Sequence, residues 1–269
     1  MKFLKYLGIS IAAIIVLFLI SFVITLASSE STEETIELER ITITEPTKSF
    51  MEVELKSPGK DPYIVGKCNF PDSTDLSVSL VTNGLSPFSG GGRTEYGKFR
   101  FPLKTELINS DTLSIMCTKH KNFHSSNVFK QLQLIDSGTR QIDYRFSMLD
   151  LKRDFYQKLF GYVAPQEIDM STVKVEDWTR EISYPKKGIW KRIHIEIKMP
   201  DSTTKDEAIN QMKHVMVEEL AKDPTLMAIE AYCTRKKSST RLYFAPNGDW
   251  NSMEYEHYSD YKLITDEIY

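Results

Sequence analysis

The chain has 269 residues, of which 41% are hydrophobic, 26% charged and 11% aromatic, with a formal net charge of -3. Those values suit a folded globular protein and exclude wholesale disorder, collagen-like repeats and a multi-pass membrane protein. The charge supplies no basic field of the kind that draws nucleic acid, and three cysteines are too few for a disulfide scaffold.

Lys2 and Lys5 open the chain, and residues 6–27 then run apolar without a charge. A bilayer core of about 30 Å takes roughly 20 apolar residues as a helix, whereas a cleavable signal has an apolar region of about 7–15. The run reads as a transmembrane signal anchor in the lipid bilayer, after a cytoplasmic stub at residues 1–5. Cleavage after Ala27, releasing a secreted factor, is the alternative. Glu30, Glu33, Glu34, Glu37 and Glu39 follow the run. Basic flanks stay in the cytoplasm, so the bulk of the chain is expected to be extracytoplasmic, at the cell membrane. Residues 28–48, rich in Thr and Glu, read as an acidic stalk.

Residues 49–136 show short alternating runs at 51–55, 63–70, 76–80, 99–101 and 113–117, with a last strand expected at 128–135. The Gly-rich string 88–93 reads as a loop, because no helix follows it as a phosphate cradle requires. One polar and one apolar face per strand indicates antiparallel sheets, and the spacing predicts a β-sandwich domain of immunoglobulin-like type.

Residues 137–188 are expected to be a helix and a connector. Ser147 and Asp150 form a start signal, Met148, Leu151, Phe155 and Leu159 share a face, and Gly161 is placed to stop the helix near 160. The remainder, 162–188, reads as irregular. Residues 189–269 form a C-terminal α/β domain with a tail. Ile193, Ile195 and Ile197 alternate with His194, Glu196 and Lys198 as a half-buried strand. Thr204 and Glu207 make a capping box for a helix that Asp223-Pro224 ends, and 226–234 and 240–245 form a hairpin. The fold class is therefore α+β, with strand, helix, strand, strand as the C-terminal sandwich.

Chemistry is sparse. Cys117, His120 and His124 have a zinc-compatible spacing but no fourth ligand nearby, and Cys117 is in phase with Leu113 and Ile115 as a core residue. Cys68 and Cys117 both occupy inward positions and are candidates for a disulfide in an oxidising compartment, two buried thiols being the alternative. Cys233 is left single. No nucleophile elbow, H-E-x-x-H or cofactor motif occurs, so catalysis is not the favoured reading. His194 with Glu196 is an acid–base pair or simply two residues of a half-exposed strand. The basic clusters Lys186, Lys187, Lys191, Arg192 and Arg235, Lys236, Lys237, Arg241 bind an anionic polymer or are solvated charges. Pro246-Asn247-Gly248 is turn chemistry leading to Trp250. Trp250 with Tyr255 and Tyr258 is a candidate recognition surface, against a turn and packed tail.

The string Ala245-Pro246-Asn247-Gly248-Asp249-Trp250, with the strands and helix before it, resembles a small domain in bacterial and phage proteins that ends in an "APxGxW" turn. The likeness spans about residues 190–252. Gly66 to Thr74 is similar to the "G-x-T-N-L-P-D-G-T" opening of extracytoplasmic sandwich domains in similar proteins, from which Cys68 and Ser73 depart. The resemblance implies architecture and location, and no activity or site residues. Binding or scaffolding at the cell envelope, with an envelope protein or polymer as partner, is the expected function. A membrane-tethered hydrolase is the rival.

Overall fold

A computed structural model describes residues 40–162, 172–182, 188–235, 238–251 and 260–268. The expected anchor at 6–27, the stalk up to residue 39, Tyr255 and Tyr258 lie outside the described residues. No helix among the described residues is long and apolar enough to cross a membrane. The unit Arg40–Tyr269 is α+β and contains two hydrophobic cores.

The first core lies between two antiparallel sheets. Their elements in chain order are β1 (Met51–Lys56), β2 (Tyr63–Cys68), β3 (Asp75–Thr82), β4 (Leu85–Arg93), β5 (Lys98–Pro102), β6 (Thr112–Thr118), α1 (Ser126–Leu132) and β7 (Gln141–Ser147). One sheet has the order β1-β2-β5 and the other β4-β3-β6-β7. Period-2 alternation sends Ile64, Phe99 and Phe101 from one sheet against Leu76, Val78, Leu113 and Ile115 from the other.

Three expectations are corrected here. Residues 128–135 are not a strand; Ser126–Leu132 is helical, and the Ser125 hydroxyl accepts from Val128 N at 3.4 Å. Val128, Leu132 and Ile135 are buried at spacings of four and three, which is a helical period. The string 88–93 is not a loop but part of edge strand β4. A Cβ on Gly92 would sit 2.6 Å from the Phe101 ring, so the glycine is what lets the two sheets close there. Residues 40–48 are not a free stalk: Ile43 N donates to Gln131 Oε1 at 2.8 Å, and Thr47 bridges Ile135.

The second core is built by α2 (Met148–Phe160), β8 (Val173–Asp177), β9 (Arg180–Ile182), β10 (Gly188–Trp190), β11 (Arg192–Lys198), α3 (Lys205–Lys222), β12 (Ala228–Arg235), β13 (Ser238–Pro246) and β14 (Tyr261–Ile268). Both expected helix starts form. Ser147 Oγ accepts from Asp150 N, and Thr204 with Glu207 makes the reciprocal capping box. The five-stranded sheet has the order β14-β13-β12-β11-β8, with β11 and β12 parallel across α3. The connector is therefore not wholly irregular, since β8 adds to the sheet edge antiparallel to β11, and the tail contributes β14.

Helix α2 serves both cores. Met148 and Leu151 enter the first, and Tyr156 and Phe160 the second. Arg153 donates to Glu218 of α3 at 2.7 Å, and Lys158 donates to Glu54 of β1 at 2.7 Å. The first ties α2 to the second core, and the other ties it to the sandwich.

Candidate functional site

The five-stranded sheet has two unlike faces. Ile195, Ala231 and Leu242 share a row on the apolar side, with Ile197, Cys233 and Thr240 in the next, and α3 packs on this side. One residue out of phase, the register gives the opposite face a row of Glu176, His194, Glu230, Tyr243 and Ile264. Beside it runs Lys174, Glu196, Tyr232, Arg241 and Asp266. Strand alternation alone puts these residues together.

In the second row adjoining charges have opposite signs, Lys174 beside Glu196 and Arg241 beside Asp266. Glu230 is 5% exposed and accepts from both sides, from His194 Nδ1 at 2.8 Å and from Arg241 Nε at 2.7 Å. The carboxylate can only accept, so Nδ1 carries the proton in this pair. His194 Nε2 faces Glu196 Oε1 at 3.8 Å, and Arg241 reaches Asp266 at 3.8 Å. Lys174 pairs with Glu176, whose pKa is lowered by that hydrogen bond first and by one from Trp178 second.

All three tryptophans of the chain cap one end of this face. Trp178, just past β8, stacks on His194 with centroids 4.2 Å apart and planes within 7°. Arg192 lies over Trp190 at 3.5 Å and under Trp250 at 4.8 Å. Trp250 meets Tyr243 edge to face at 6.3 Å, and Arg241 lies 4.6 Å from the Tyr243 centroid. Arg192 is 3% exposed. Its Nη1 donates to Trp250 O at 3.4 Å, while Arg192 Nε and Trp190 Nε1 are buried with no hydrogen-bond partner among the described residues. Burial, and then Arg180 beside it, lower the pKa of Arg192, while Glu230 opposes them. Cation–π contact with two indole faces is what compensates so buried a guanidinium.

Of the residues singled out from sequence, Trp250 belongs to this array and is half-buried. His194 belongs to it too, with Glu230 rather than Glu196 as its close partner. Of the two basic clusters, Lys186, Lys187, Lys236 and Lys237 lie outside the described residues; among the others, Lys191 pairs with Asp223, Arg235 with Thr203 and Thr240, and Arg241 with Glu230. Cys68 and Cys117 are far from this face in sequence and sit in the sandwich core as free thiols, like the buried Cys233. Burial pushes Cys68 up to about 11 and Cys117 up to about 12. His124 turns Nε2 to Thr118 O at 2.9 Å, and no group of three or more metal-type ligands occurs among the described residues.

Trp178, Trp190 and Glu230 were not singled out from sequence. The usable signal was rarity: every tryptophan falls after residue 177, and Trp178 and Trp190 precede a strand whose polar positions include Arg192, His194 and Glu196.

Compared with family models, curated proteins and solved structures, the chain matches none.

Proposed function

We propose that this chain is a single-pass, membrane-anchored protein whose folded part lies outside the cell membrane and acts by binding. The observation that carries the binding reading is the gathering of Trp178, Trp190, Trp250 and Tyr243 with Arg192 and Arg241 on the sheet face opposite α3. Tryptophan, tyrosine and arginine are the residues that dominate recognition surfaces, because each offers a large apolar area with a polar handle. Half-buried Trp250 and Tyr243, beside paired charges, suit an envelope protein or polymer that offers stacking surface and hydrogen-bonding groups. The location rests on the uninterrupted apolar run 6–27 and its lysine and glutamate flanks. The sheet orders β1-β2-β5 and β4-β3-β6-β7 support reading the sandwich as immunoglobulin-like, a module often used at cell surfaces. The hydrolase reading is not favoured at His194, whose ring nitrogens face Glu230 and Glu196 and whose flat side is covered by Trp178.

Crosslinking capture from native membranes, with the full chain and its Trp250→Ala variant, tests the binding face. The partner held by the native chain is expected to be lost by the variant. Half-burial sets the accompanying stability loss at about 2 kcal/mol, below the ~3–5 of a fully buried tryptophan. Capture of the same partner by both chains would exclude this face. A reporter fused after Tyr269 is expected to work only as an extracytoplasmic enzyme; cytoplasmic activity would reverse the topology.

A further inference from the structure

We propose that a polar cleft at one end of the sandwich binds a short, uncharged saccharide, at a site that shares no residue with the tryptophan-bearing sheet face. The cleft has a volume of about 570 Å³, within the ~300–1,000 Å³ of small-molecule sites. Four stretches of chain frame it: residues 40–42, the turn 71–73 after β2, the turn 93–96 between β4 and β5, and helix α1 with its cap Ser125.

Bonds behind the surface fix these walls. Thr94 Oγ1 donates to Pro71 O at 2.6 Å and accepts from Thr74 N at 3.0 Å, and Ser73 N donates to Thr94 O at 2.8 Å, which locks the two turns together. Gln131 of α1 holds Ile43 N at 2.8 Å. Ile41 packs on Gly97, where a Cβ would stand 2.4 Å from Ile41 Cδ1. A cleft held by its own framework is preorganised, so a ligand need not order it on binding.

The cleft offers hydrogen-bonding capacity with its charges balanced. Asp72 Oδ1 is buried with no hydrogen-bond partner among the described residues. A carboxylate oxygen can only accept, so it calls for a donor on a ligand. The other oxygen faces Arg40 Nε at 4.0 Å, and Arg93 gives its Nε to Asp75 Oδ1 at 2.6 Å. Each arginine thus has a carboxylate beside it, while a guanidinium with five N–H groups retains donors for a ligand. Asn127, exposed on the first turn of α1, adds an amide. An anion would meet Asp72 and Glu95, and a cation would meet Arg40 and Arg93. A hydroxyl donates to a carboxylate and accepts from a guanidinium at once, and a saccharide carries several hydroxyls on one rigid frame.

Tyr96 supplies apolar surface. It is the first residue of a two-residue turn that Glu95 and Lys98 close with paired bonds of 2.9 Å, with φ of 49° at Tyr96 and 67° at Gly97. Both positions of such a turn ordinarily take Asn, Asp or Gly. An aromatic residue is strained there, and strain of this kind gathers at ligand sites. Ser73, which also borders the cleft, has a φ of 65°. The half-buried Tyr96 lines the cleft, where an aromatic ring can meet the C–H face of a pyranose and a phenol its hydroxyls.

Isothermal titration of the full chain, in micelles of a phosphocholine detergent that carries no sugar, tests this with chitotriose, cellotriose and maltotriose as probes. At least one of them is expected to bind. Asp72→Ala is expected to weaken that binding roughly ten- to hundredfold, as loss of a bond to a charged group does. Asn127→Ala, at an exposed position where folding is not at issue, is expected to weaken it roughly three- to tenfold. Lys121→Ala, exposed and outside the cleft, is expected to bind as the native chain does. Trigalacturonate, whose carboxylates meet Asp72 and Glu95, is expected to bind more weakly than the neutral sugars. Binding of none of the neutral probes, binding indifferent to both Asp72→Ala and Asn127→Ala, or tighter binding of trigalacturonate would overturn the inference. Capture by the Trp250 face is read in a separate assay, so the two sites stand or fall independently.

Discussion

Glu230→Gln is the substitution that most directly probes the polar sheet face. The carboxylate is 5% exposed and accepts from His194 at 2.8 Å and Arg241 at 2.7 Å. Glutamine keeps the shape but replaces one acceptor with an amide donor, so one bond is lost and two donors face each other. A hydrogen bond to a charged group contributes about 1.5–3 kcal/mol, and a buried donor left without a partner costs about 1–3 more. The surviving bond to the amide oxygen offsets little, so the expected loss is about 3 kcal/mol, in line with the ~3–5 for breaking a buried pair. For a folded unit of this size that is roughly 6–12 °C in melting temperature. Glu196→Gln is the control, because its side chain is 49% exposed and stands 3.8 Å from His194; a surface pair of this kind contributes about 0–1 kcal/mol. Urea unfolding of both variants, followed by tryptophan fluorescence through Trp178, measures the difference. Equal midpoints for Glu230→Gln and Glu196→Gln would refute the claim that Glu230 organises this face.

Ser73 has a φ of 65°, in the left-handed region that favours glycine. A left-handed L-residue costs about 1–2 kcal/mol, of which glycine's greater unfolded freedom takes back about 0.5–1. Ser73→Gly is therefore expected to raise stability by up to about 1 kcal/mol, and an unchanged or lower urea midpoint would contradict this. The Glu54 carboxyl is held down at about 2 by hydrogen bonds from Lys158 first and Lys56 second. A depressed carboxylate adds stability above its ordinary value of 4.5, and that contribution is lost as pH falls through about 2. An NMR titration of Glu54 is expected to show the low midpoint, rising in Lys158→Met; an ordinary midpoint in the native chain would disprove the pairing. Thiol titration of the denatured, unreduced chain is expected to find all three cysteines free, and a single free thiol would show that Cys68 and Cys117 had been oxidised to a bridge.

Local signals decided the elements whose driving chemistry is itself local. Ser147, Thr204 and Glu207 cap their helices through bonds spanning three residues, and Gly161 stops α2 at a φ of 59°. Such geometry depends on neighbours in the chain and is legible there. The strands at 51–56, 75–82, 112–118 and 192–198 were legible for the same reason, since alternation reports a sheet face directly. Sequence failed where the partner decides. Residues 85–93 carry little apolar signal and become a strand because β3 pairs with them and Phe101 needs the space at Gly92. Residues 128–135 hold five apolar residues and read as a strand when taken as a run, and it is the core that singles out the helical four-and-three spacing of Val128, Leu132 and Ile135. The candidate site was the least legible part. Glu176, His194, Glu230 and Tyr243 come from separate strands, and Trp178, Trp190 and Trp250 from the segments beside them. Only the register of β8, β11, β12 and β13 aligns them, because cross-strand neighbours are set by pairing and not by distance along the chain.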